Sequence, residues 1–495
     1  MVFRMASPPV TTTRTSDSPD SPGSSPKAGR PALFPVTSER WPARVWGTLV
    51  VLCGVLFLDA LDVSMVGVAL PSIQGDLGLS TSALQWVVSG YVLGYGGLLL
   101  LGGRAADLLG RRRVFLVALA VFAVASLLGA LVDNGALLIA SRFIKGVSAA
   151  FTAPAAMSII TTSFAEGPAR NRALSIFAAT GATGFSLGLV LSGLLTEVGW
   201  RLTLLMPAPV ALIVLVAAFR LIPRDRAERP AGGYDLAGAV TSVGGMLLLV
   251  FGVVEAPEVG WASPRTVLTL VVAVALLAAF IVIERRSPHP LIRLGILRSR
   301  PLARANVGGM LLFGAYVSFQ FVVTIYLQTL LDWSPLETAL AFLPAGAIVA
   351  VASPRIGPLV DRVGTGRLVI VGAVSLLAGY AWFLPIDTSP VYARDILPAM
   401  IFLGIGFALS FPSLNIQATD GVPDDEQGLA SGLLNTSFQV GGAIILAVVT
   451  AVISADGDFL AGLHPALTVV TLIAAVGVLA ALTGARRPTP LPATD

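Results

Sequence analysis

The sequence is poor in the side chains that most catalytic and metal-binding chemistry requires. It has one cysteine, Cys53, and two histidines, His289 and His464. A disulfide framework is therefore excluded, as is a zinc site of paired cysteines, and haem, copper and di-iron centres lack their usual ligands. No metal site and no cofactor is expected. The only lysines are Lys27 and Lys145. Neither stands in G-x-x-x-x-G-K-[ST], so a Walker A site is absent and an ATP-driven pump is disfavoured. Charge is scarce throughout: 12% of the 495 residues are Asp, Glu, Lys or Arg, while 55% are hydrophobic. Soluble domains carry about 25% charged residues, so this chain lacks the polar surface to clothe a globule in water. With a mean hydropathy of +0.85, it reads as an all-α polytopic membrane protein.

Residues 1–45 are rich in Ser, Pro and Thr and are expected to form a disordered cytosolic tail. No apolar core with a small-residue cleavage site precedes Trp46, so no cleavable signal peptide is expected. A spanning helix needs about 20 mostly apolar residues. Candidate spans are 46–70, 84–103, 114–132, 136–164, 173–195, 202–222, 236–254, 266–283, 306–331, 338–356, 368–386, 396–419, 428–455 and 466–485. The tenth is weakened by Pro344, Pro354 and Arg355. An even number of spans puts both termini on one side.

The basic residues test this parse independently. Of the 32 in the chain, Arg142 and Lys145 fall inside a span and Arg201, Arg265 and Arg394 fall on the face opposite the amino terminus. Every other one lies on the amino-terminal face, which by the positive-inside rule is cytosolic. The net charge of +4 and pI near 9.5 thus report topology, and a nucleic-acid partner is not expected. The longest connection, roughly Glu284 to Ala305, is a linker too short for a folded domain.

Two segments echo each other. Gly103-Arg-Ala-Ala-Asp107-Leu-Leu-Gly110 follows the second span and Gly357-Pro-Leu-Val-Asp361-Arg-Val-Gly364 follows the tenth. Both read G-x-x-x-D-x-x-G on the same face, the pattern of related halves about an axis through the membrane. Asp107 in a tight turn could pair with Arg111 or Arg112 and latch one conformation; the bland alternative is a solvated turn.

Formal charge inside the spans, apart from Arg220 and Arg355 near span ends, is confined to Asp59 and Asp62 in the first and Arg142 and Lys145 in the fourth. Each such charge costs about 2.5–3.5 kcal/mol on insertion scales and ordinarily faces a partner or a cavity. Spacing of three places each pair on one helical face. Counted from the outer ends at 1.5 Å per residue, Asp62 lies roughly 13 Å deep and the two bases roughly 9–14 Å. A proton-exchanging carboxylate beside a cation is one reading. A static ion pair joining two helices is the other.

These residues carry a family resemblance. Asp62-Val-Ser-Met-Val-Gly-Val-Ala-Leu-Pro71 resembles the first-span motif of the fourteen-span drug:proton antiporters of the major facilitator superfamily. Gly102-Gly-Arg-Ala-Ala-Asp107-Leu-Leu-Gly110-Arg-Arg-Arg113 is similar to the superfamily's loop motif, and Arg142-Phe-Ile-Lys145-Gly146 to its fourth-span basic motif. Trp200-Arg201, Tyr234-Asp235 and Tyr326-Leu-Gln328 also fit that branch. The family pattern has Gln where Lys145 stands, which bears on the charge of the cargo. Span five keeps the glycines of the antiporter motif (Gly181, Gly184, Gly188, Gly193) but has Phe185 where a proline is expected, which bears on direction; Asp59 is an additional acid.

The resemblance implies two pseudo-symmetric six-helix bundles, 46–222 and 306–485, with two additional spanning helices and linkers over 223–305 and a short cytosolic tail at 486–495. It implies a monomeric multi-pass protein of the cell membrane and no enzyme activity. The expected activity is export of small lipophilic compounds, cations included, by proton antiport and alternating access. Asp62, Asp59, Arg142 and Lys145 would couple protons, Gly103, Asp107, Gly110, Arg111 and Arg112 would gate, and the span-five glycines would pack helices. Trp86, Tyr91, Tyr95, Tyr316, Phe319 and Gln320 are candidates for lining a substrate cavity, with plain interhelical packing as the alternative. An uptake symporter or facilitator on the same scaffold is the rival function. His289 and His464 are expected in solvated loops, and Asp420, Asp424, Asp425 and Glu426 in a solvated acidic loop.

Overall fold

Backbone amides in hydrocarbon have no water to bond, so a chain of this composition satisfies them within helices. A computed structural model describes residues 41–164, 168–224, 235–288, 294–422, 427–454 and 459–484, and among the described residues there are helices and no strands. The expectations for residues 1–40 of the tail, Tyr234, His289, Asp424, Asp425, Glu426 and the carboxyl-terminal end fall outside the described residues. The end of the expected tail is corrected, since Ala43–Val45 already belong to the first helix and Trp41 and Val45 are buried.

The helices are α1 (Ala43–Leu77), α2 (Thr81–Leu109), α3 (Arg111–Leu131), α4 (Gly135–Ser163), α5 (Pro168–Val198), α6 (Arg201–Leu221), α7 (Leu236–Val259), α8 (Pro264–Arg286), α9 (Arg300–Ile325), α10 (Pro335–Val363), α11 (Thr365–Phe383), α12 (Leu397–Thr419), α13 (Gln427–Ser454) and α14 (Phe459–Gly484). Helix α6 is broken at Met206, ahead of Pro207. Twelve are long and apolar enough to cross a membrane, and α2 and α5, with 29 and 31 residues, have the length as well. Each of the candidate spans meets one helix. Helix α10 runs through Pro344, Pro354 and Arg355 unbroken; spanning helices tolerate proline where neighbouring groups take up the freed carbonyls.

Polar punctuation sets the ends. Ser80, Asn134, Ser263, Ser299 and Ser334 accept backbone N–H bonds at helix starts, and Ser334 with Glu337 forms a reciprocal capping box. The G-x-x-x-D-x-x-G segments correct an expectation. They are not turns: Gly103 and Asp107 lie in the last two turns of α2, and Gly357 and Asp361 in those of α10. Only Gly110 (φ 95°) and Gly364 (φ 86°) leave the helix, at a positive φ that glycine adopts without steric cost. His464 likewise sits in α14 rather than a loop, its Nδ1 2.9 Å from the Leu384 carbonyl oxygen.

Helices α1–α6 pack on one another, with α1 against α4, α5 and α6, and α2 and α3 against α4. Helices α9–α14 do likewise, with α9 against α12, α13 and α14, and α11 against α12 and α14. The two bundles meet along two lines, α5 against α10 and α2 against α13. Helix α7 lies over the second line, touching both α2 and α13, and α8 packs on the outside of α7. Exposed apolar stripes recur at helical spacing, as in Val117, Val121, Val124 and Leu128 of α3 and Leu472, Val476 and Leu479 of α14. Such faces suit lipid.

Candidate functional site

The charged residues of α1 and α4 converge inside the first bundle. Small residues let the helices come close: a Cβ on Gly146 of α4 would collide with the Tyr91 carbonyl of α2, and one on Gly188 of α5 with Ser64 and Leu61 of α1. The Asp62 carboxylate then receives Arg142 Nη1 on one oxygen and Lys145 Nζ on the other. Exposure is 0% for Asp62, 2% for Arg142 and 0% for Lys145. Arg142 also donates from Nε to the Val87 carbonyl at 3.2 Å and lies 4.9 Å over the Tyr91 ring. The Lys145 ammonium stands 4.9 Å from the centre of the Phe122 ring on α3. Both cations thus turn one face to a carboxylate and another to an aromatic quadrupole. Asp59, one turn toward the Ala43 end, is 5% exposed, and its Oδ2 has no hydrogen-bond partner among the described residues.

The remaining candidates separate. Tyr91 and Tyr95 stand edge to face at 6.0 Å beside the charge cluster, and the Tyr91 hydroxyl is buried without a partner among the described residues. Trp86 turns away, 5.7 Å from Phe251 of α7. Tyr316 lies between the bundles, 6.2 Å from Phe185 of α5 and 4.8 Å from Phe407 of α12. Gln320 also lies there, its Nε2 3.1 Å from the Cβ position of Gly67 on α1. Phe319 points the other way, into the second bundle against Tyr380 (4.9 Å) and Phe383 (5.2 Å). The six do not form one lining. The structure adds Phe407, Phe411 and Phe438, which residue-by-residue reading missed: Phe407 stacks on Phe411 at 5.0 Å, Phe411 on Phe438 at 5.0 Å, and Phe438 meets Phe313 at 5.7 Å. The signal was the spacing of four between Phe407 and Phe411, which shares a helical face.

In the loop motif, Arg112 Nη2 donates to the Phe219 carbonyl at 2.7 Å and joins α3 to the end of α6. The Asp107 side chain, and so its pairing with Arg111 or Arg112, falls outside the described residues. At the Leu77 end, Asp76 accepts from Trp200 Nε1 at 3.0 Å and Arg201 Nη1 at 2.6 Å, and Arg201 reaches Asp133 as well. Contacts between the bundles gather at the same end. Gln328 donates to the Val68 carbonyl at 2.9 Å, Glu197 accepts from the Leu336 amide at 3.3 Å, and a Cβ on Gly193 would stand 2.6 Å from that of Ala339. Of the α5 glycines, Gly181, Gly184 and Gly188 face α1, and Gly193 faces α10 across the seam.

Comparisons with known proteins agree with this architecture. The Major Facilitator Superfamily profile matches residues 52–446. The chain is 40% identical over 454 residues to the puromycin resistance protein pur8 of Streptomyces alboniger, covering 88% of this chain and 90% of that one. It is 38% identical over 409 residues to the cephamycin export protein CmcT of Amycolatopsis lactamdurans, covering 82% and 84%. Among solved structures, the peptide-transporter-family protein PepTSo superposes with a TM-score of 0.65 at 18% identity, over 90% of this chain and 98% of that one. The charges buried between packed spanning helices are therefore held on a transporter scaffold: the chain belongs to the major facilitator superfamily.

Proposed function

We propose that this transporter exports small lipophilic compounds, cations among them, in exchange for protons by alternating access between the two bundles. The observation that carries the proposal is the buried cluster on α1 and α4, where Asp62 holds Arg142 and Lys145 and Asp59 lies one turn away. Ionisable groups in spanning helices mark ion and proton pathways, and this cluster lies inside the first bundle, among α1, α2, α3 and α4. Relatives named for puromycin resistance and cephamycin export support antibiotics as cargo and efflux as direction. The proposed orientation has both termini in the cytosol, so that the contacts of Gln328, Glu197 and Gly193 close the outer side. The row from Phe185 and Tyr316 to Phe438 supplies apolar ring faces for a lipophilic cargo.

The test is a substrate-induced pH change in proteoliposomes, screened with puromycin, cephamycin and lipophilic cationic dyes. Exchange predicts that cargo moving one way drives protons the other. Protons moving with the cargo would instead establish the symporter reading, and cargo movement without any proton flux would establish facilitated diffusion.

A further inference from the structure

Two acids lie in the cluster and only one proton-exchanging group is needed, so their environments decide between them. Both oxygens of Asp62 are taken, one by each cation. A proton on Asp62 would break one of those contacts and leave two like charges adjacent with no anion between them. Asp59 differs. It is as deeply enclosed, yet Oδ2 has no hydrogen-bond partner among the described residues, and that unfilled position accommodates an O–H without displacing anything. Nine residues separate Asp59 from Val68, about 14 Å along the helix, so Asp59 lies well to the Ala43 side of the contacts that join the bundles at the Leu77 end.

The groups facing Asp59 are Asp62 on its own helix, Lys145 and the Thr152 hydroxyl on α4, and Tyr91 and Tyr95 on α2; Arg142 of α4 stands one contact further, on Asp62. On α5 the positions packed on α1 are Gly181, Gly184 and Gly188, which meet Leu56, Phe57, Leu61 and Ser64 and bring no charge. Resting on the exchange reading above, we infer that the proton carried in each cycle sits on Asp59, while Asp62 stays ionised as the fixed counter-ion of Arg142 and Lys145. The proton adds from water to the Asp59 carboxylate and leaves to water on the other side, with no bond other than O–H made or broken. With Asp59 ionised the cluster has two acids against two bases and is neutral. With Asp59 protonated it carries one positive charge, which expels a cation. One proton therefore exchanges for one monovalent cation, and the competition needs no direct contact between cargo and Asp62.

The test uses the purified full chain in nanodiscs. Infrared difference spectra are recorded across the physiological pH range, in which exposed carboxylates remain ionised. Wild type should show a carboxylic-acid carbonyl band that comes and goes with pH, D59N should lack it, and D59E should restore it at a shifted frequency. Absence of the band in wild type, or its persistence in D59N, overturns the assignment. In proteoliposomes, D59N should lose pH-driven puromycin accumulation and exchange a cationic dye more slowly between equal concentrations, because its cluster keeps the positive charge that expels a cation, while exchange of a neutral cargo persists. Retained pH-driven accumulation overturns the assignment, as does loss of neutral-cargo exchange in D59N that melts like wild type. Wild type that moves no puromycin under any gradient would sink the export reading and leave the infrared result standing.

Discussion

Asp62 is one carboxylate shared by two cations in a site that excludes water, and this makes it less forgiving than any surface ion pair. Removing one partner of a buried pair typically costs about 3–5 kcal/mol because a charge is left uncompensated. D62N leaves two. It should lower the melting temperature in detergent clearly and abolish export, whereas a variant with wild-type melting and export would remove the clamp from the mechanism. Lys145 poses a different question. The related pattern has Gln there, so K145Q should fold, and it lowers the positive charge of the cluster by one. Cationic cargo should then gain over neutral cargo of similar shape by about tenfold, or about 1.4 kcal/mol, measured as the ratio of export rates for matched dyes. An unchanged ratio would assign Lys145 to structure alone.

Helix α5 shows what a single element was able to announce in advance and what it was not. Its glycine spacing marked a face for close approach, and Gly184 and Gly188 do press on Phe57, Leu61 and Ser64 of α1. G184L would drive a side chain into the Phe57 backbone. Overpacking of this kind costs about 1–3 kcal/mol or more, so the variant should melt earlier and export less, while a leucine at Gly199, which has open space around it, should leave both unchanged. The spacing could not show that Gly193 belongs to a different contact, with α10, since one stripe of small residues reads the same whichever helix it meets. The same limit applies to the aromatics. Phe319 and Tyr316 are three residues apart in sequence, yet one packs inside the second bundle and the other between bundles. Hydropathy located the helices because the bilayer imposes length and composition on each of them separately. The pairing of Asp62 with two cations was legible as matching depth, and the unpartnered oxygen of Asp59 was not, because it depends on what the neighbouring helices fail to bring.

At the scale of the molecule, alternating access requires the contacts at the Leu77 end to part. G193L places a side chain against Pro335, Leu336 and Ala339 and should hold the bundles apart there. Val68 is fully buried at that level and Cys53, the only cysteine, is buried too, so V68C offers a quiet reporter. An impermeant maleimide added outside should label V68C faster in the G193L background, with export reduced; equal labelling would show that this seam does not move. The bundles also meet along α2 and α13, and α7 straddles that line. A helix laid across both partners resists their separation on its own side much as a strap across a hinge does. Swinging of one bundle against the other then turns about the strapped edge, and α5 and α10, on the unstrapped edge, sweep the wider arc. On the exchange proposal, entry and exit of bulky cargo would fall to that edge, where Gly193 of α5 meets Ala339 of α10.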